Sequence, residues 1–161
     1  MSDSLVVYIE DHKAGAGLAI GLLEAMEARR DDEALSQFAA SILADIKEDE
    51  TTLQDLANQI GTGTNMLKEA TAWMLEKASR IKLGANASGD FGTFEALEFL
   101  ALGIQGKLSL WHALQVAAVL DGRLRSLDFN TLIARAESQH ARVEERRLAL
   151  APTALAPAAV T

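Results

Sequence analysis

DDEALSQFAASILADIKEDETTLQDLANQIGTG, residues 31 to 63, places Leu35, Ala39, Ile42, Ile46, Leu53, Leu56 and Ile60 at steps of three and four. That spacing is the signature of an amphipathic helix. Asp49 is the one carboxylate in the same register, and Gly61 and Gly63 end the segment. A polar group in an otherwise apolar stripe needs a partner, so Asp49 is the first candidate for chemistry.

Upstream, Leu5, Ile9, His12, Ala16, Ala19, Leu23 and Met26 repeat the pattern to about Arg29, with a histidine in the stripe. The short turn Arg29-Arg-Asp-Asp32 makes these two helices antiparallel neighbours, with cations closing one and carboxylates opening the next. Downstream, Leu67, Ala70, Met74 and Ile81 predict a helix over Thr64 to Leu83. It serves as the connection, spanning roughly 30 Å. Gly84 to Asp90 reads as a loop. Phe94, Leu97, Ala101, Ile104, Leu108, Trp111, Gln115 and Ala118 give a helix from Phe91 to about Leu120. It reads as one helix kinked at Gly103 to Gly106, with two shorter helices as the alternative. Asp128 caps a last helix, Phe129 to about Leu150, and Ala151 to Thr161 is an Ala- and Pro-rich tail holding both prolines. The expectation is an all-α chain, with residues 1 to 150 forming a four-helix bundle.

The last helix contains Glu137 and His140 in a Glu-x-x-His unit, read as part of its inward stripe. Bundle helices build carboxylate-bridged metal sites from that unit. Order, lengths and the helical crossover resemble the ferritin-like superfamily over about residues 5 to 150. The resemblance implies a di-metal carboxylate centre midway along the bundle, used in iron handling or oxygen-dependent oxidation. It carries over only in part. In the second helix Glu48 and Asp49 are followed at the required offset by Thr51 and Thr52, and in the first His12 replaces the inward glutamate. In the third long helix Glu95 and Glu98 are the family counterparts.

Helix levels can be counted without the family. His12 and Asp49 each lie about 18 residues from the first turn, roughly 28 Å along their helices. Counting from the last turn puts His140 level with residue 109, which favours His112, about one turn away, over Glu98. The candidate metal ligands are therefore His12, Asp49, His112, Glu137 and His140. Histidine and carboxylate donors suit iron or manganese, with zinc also compatible. Two inward carboxylates, Asp49 and Glu137, are few for a two-metal centre, so a single ion or no metal at all is expected. The reading is a bundle of unassigned role whose metal site is incomplete or vestigial, with these residues in a buried polar network and Asp49 pairing with His12. The alternative is an iron- or manganese-binding redox or iron-handling protein that uses them as ligands.

Composition narrows the rest. A net charge of −8 argues against nucleic acid as a partner. The absence of cysteine excludes disulfides and thiolate chemistry. No leader-like segment or long apolar run is visible, giving a cytoplasmic protein with no membrane partner as the expectation. Gly17, Gly21 and Ala25 make a smooth face suited to a homodimer, and Trp73 and Trp111 read as core or interface residues. Nothing in the sequence assigns a small-molecule substrate or a reaction.

Overall fold

The computed structural model describes residues 3 to 61 and 89 to 157. They form four long helices: α1 (Ser4–Glu27), α2 (Glu33–Ile60), α3 (Asp90–Ala117) and α4 (Phe129–Ala154), with a 3-10 turn at Gly122–Leu124. The expected helix over Thr64 to Leu83, the loop after it and Trp73 lie outside the described residues.

Each start has a capping carboxylate where the sequence offers one. Asp3, Asp32 and Asp128 accept from the backbone N–H of Leu5, Leu35 and Thr131 at 3.0, 2.8 and 3.2 Å. Such caps satisfy amide donors that the first helical turn leaves unpaired. Gly61 closes α2 in the left-handed region at φ 79°, where a side chain would be strained.

Helix α3 is one continuous helix, as expected, and the alternative of two shorter helices divided at Gly103 to Gly106 is dropped. One expectation is corrected. Helix α4 does not stop near Leu150 but runs through Pro152 to Ala154. Proline removes its own N–H, yet the Leu155 N–H still reaches the Ala151 carbonyl at 3.0 Å and completes a final turn beyond it.

Cross-links at the ends fix the topology. Arg29, in the turn after α1, donates to Thr93 Oγ1 at the start of α3 at 2.9 Å. Arg123, in the turn after α3, donates to Asp3 at the start of α1 at 2.7 Å. Helix α3 thus begins where α2 begins, and both run the same way. Gly61 and Gly89 therefore lie at opposite ends of the bundle. The pairs α1–α2 and α3–α4 are antiparallel hairpins laid side by side.

The core is divided in two. At one end Leu23, Met26, Leu35, Ile42, Leu97 and Leu100 pack together. At the other, Ile9, Leu56, Leu110, Trp111, Leu124 and Phe129 do so. Full burial of such side chains stabilises by about 1.5 to 3 kcal/mol each. Between the two clusters lies the polar layer that holds Asp49. Leu102, Val116, Val119 and Leu120 stay exposed along and just beyond α3. No helix among the described residues is long and apolar enough to cross a membrane.

Candidate functional site

Asp49 is 2 % exposed, in the middle of α2. Its Oδ2 accepts from Lys107 Nζ at 2.5 Å and from Gln139 Nε2 at 3.0 Å. Lys107 also donates to Gln139 Oε1, closing a triangle between α2, α3 and α4. Gln139 is fully buried, and as a neutral amide it is both donor and acceptor, a double role an ionised carboxylate lacks. Arg135 Nε stands 3.0 Å from Asp49 Oδ1, an ion pair whose angle makes no hydrogen bond, and its Nη1 reaches out to Glu48. Burial pushes the Lys107 ammonium below its usual 10.5, with Asp49 opposing that shift and Arg135 reinforcing it.

A cavity of about 80 Å³ opens beside this triangle. Asp49 and Lys107 line it together with His12, Glu50 and Trp111, between walls of Ala16, Ala19, Ile46, Leu53 and Ile104. Trp111 is fully buried and its Nε1–H finds no acceptor among the described residues. His12 is half-buried with its ring edge-on to Tyr8, the centroids 4.8 Å apart. Burial lowers its pKa below the usual 6.5, and the charge of Asp11 opposes this weakly.

The sign of that shift sets a pH dependence. Below pH 6.5 the unfolded chain takes up the His12 proton before the folded chain does, so stability is lost as pH falls from 6.5 through the lower folded value. Urea unfolding from pH 7 to pH 5 should show this loss, with a slope of less than one proton. His12→Gln should remove that component, and an unchanged slope in this variant would place the titrating group elsewhere.

The five candidate ligands are not all brought together. His12 and Asp49 share the cavity, as their equal depth implied. His112 and Glu137 are exposed, so the inward placement of Glu137 is corrected. The physical reason is register: the buried positions of α4 are Phe129, Leu132, Ala136, Gln139 and Val143, one residue behind the Glu-x-x-His unit. His140 is half-buried and close enough to Glu144 to favour its ionised form slightly, after the dominant effect of Arg147. Glu98 accepts from Arg147 at 3.0 Å and Glu95 is exposed. Asp49 pairs with Lys107, Gln139 and Arg135 rather than with His12.

Among the described residues no three His, Asp or Glu side chains converge in a way that could hold a metal ion. The donor set beside Asp49 is an ammonium, a guanidinium and an amide, and the first two repel a cation. Sequence reasoning missed Lys107, Gln139 and Arg135.

More arginine on α4 reaches α2 alongside the first apolar cluster. Arg142 donates to Asp45 at 2.7 Å and to Ser41 Oγ at 2.5 Å, while Arg146 lies over the Phe38 ring at 5.1 Å. An arginine edge on α4 thus faces an acidic edge on α2. No protein-family model, curated protein or solved structure matches the chain.

Proposed function

We propose that this chain is a ferritin-like bundle in which the Lys107 ammonium takes the place of a metal, and that it serves as a structural or interaction module. The observation that carries the reading is the Lys107–Asp49–Gln139 triangle at mid-height, where such a bundle would gather its metal ligands. An internal cation neutralises the carboxylate at no cost in metal affinity, and Gln139 supplies the amide contacts that fix the register of three helices. The parallel course of α2 and α3 supports the ferritin-like assignment, in which a crossover joins the second and third long helices. A homodimer through the open face at Gly17 belongs to the same reading.

Protein purified without chelators should carry well under one equivalent of iron, manganese or zinc. Its melting temperature should not rise when these ions are added, since a ligand stabilises only what it binds. Stoichiometric metal released by His12→Ala or His140→Ala with the helical content unchanged would overturn the proposal in favour of an iron- or manganese-dependent redox or iron-handling protein.

A further inference from the structure

We infer that the cavity beside the triangle admits a short aliphatic aldehyde and that Lys107 captures it as an imine. Three features of the site lead there. Lys107 and Asp49 both line the cavity, so the amine and a proton acceptor already in contact with it share one space. The side chain of Lys107 is 16 % exposed, enough to be reached yet largely removed from water. The remaining walls, among them Ala16, Ala19, Ile46 and Ile104, offer an alkyl chain an apolar surface.

Size selects the class further. An engineered cavity of about 150 Å³ holds the six heavy atoms of benzene, so a space about half as large takes a molecule of about three or four heavy atoms. Charge selects it again, because Lys107 on one side and Asp49 and Glu50 on the other favour neither an anion nor a cation. Lys107 is largely buried and shares Asp49 with a second cation, Arg135. Burial beside a like charge is what makes a lysine amine a nucleophile toward carbonyl groups, with Asp49 here as the proton acceptor.

The step balances within the site. The Lys107 ammonium passes one proton to Asp49 Oδ2 along their hydrogen bond, and the freed nitrogen lone pair forms a bond to the carbonyl carbon. The carbonyl oxygen takes up protons from the nitrogen and from Asp49 and leaves as water, giving C=N. No oxidant or reductant is consumed. Gln139, donating to the same Asp49 oxygen and accepting from the amine, is a positioning residue.

The test uses the full-length chain with propanal and cyanoborohydride, which reduces an imine to a stable secondary amine, followed by peptide mapping. Lys107 should be alkylated at least tenfold faster than Lys47, which is about half exposed. Its rate should saturate with propanal while that of Lys47 rises linearly, the mark of a bound complex before reaction. Benzaldehyde, too large for the cavity, should label Lys47 and spare Lys107. Labelling of Lys107 at or below the rate of Lys47, a linear dependence on propanal, or equal labelling by benzaldehyde would each overturn the inference. All three readings use the unaltered protein, and none depends on its metal content.

Discussion

Asp49→Ala is expected to destabilise the fold by about 3 to 5 kcal/mol, because it leaves the largely buried Lys107 without its counter-charge. The size of the effect comes from the orphaned ammonium more than from the bonds lost. For that reason Asp49→Leu combined with Lys107→Met should lie much closer to the parent, since well-packed apolar residues replace a buried pair at little cost. Arg135 can then turn wholly to Glu48, which it already reaches. Urea unfolding followed by far-ultraviolet circular dichroism measures all three proteins. A loss of under about 1 kcal/mol in the single variant would mean that the layer behaves like a solvated surface pair.

Trp111→Ala should cost a comparable 3 to 5 kcal/mol, by a different route. The indole is fully buried against Leu110, Leu114, Leu124 and Phe129, and its removal opens a void that helices pinned at both ends cannot close. Trp111→Phe keeps most of the ring and deletes a donor that meets no acceptor among the described residues, so its cost should be far smaller. The contrast between the two substitutions, in the same unfolding assay, separates packing from hydrogen bonding. Equal losses would show that the Nε1–H has a partner.

Much of the fold was legible because three of the four helices carry an apolar stripe with a single polar residue in it. Asp49 stood in the α2 stripe, Gly61 at its end and Asp128 before α4, and each does what its chemistry suggests. The level of the site was legible as well: counting from the turns put Asp49 opposite residues near 109 and 140, and its partners are Lys107 and Gln139.

The occupants were harder to read. Between Ile133 and Val143 every large side chain of α4 is polar, so the motif Glu137–His140 drew the stripe toward itself. Steps of four, three and four from Leu132 pass instead through Ala136 and Gln139 to Val143, which is the buried face. On α3 the step from Ile104 to Leu108 is equally regular as one through Lys107 to Trp111. Only the shape of the neighbouring helices decides between them. A lysine was passed over because its long stem lets the charge travel to a partner that spacing alone does not reveal.

The shared direction of α2 and α3 bears on how the chain assembles. Each hairpin is built from contacts close in sequence, which form quickly, whereas the contacts between hairpins join residues far apart in the chain. The Lys107, Arg135 and Arg142 contacts to α2 decide how the halves mate. Severing the chain between the hairpins would therefore convert folding into recognition between two complementary halves, with Asp49 as the key that admits only one alignment.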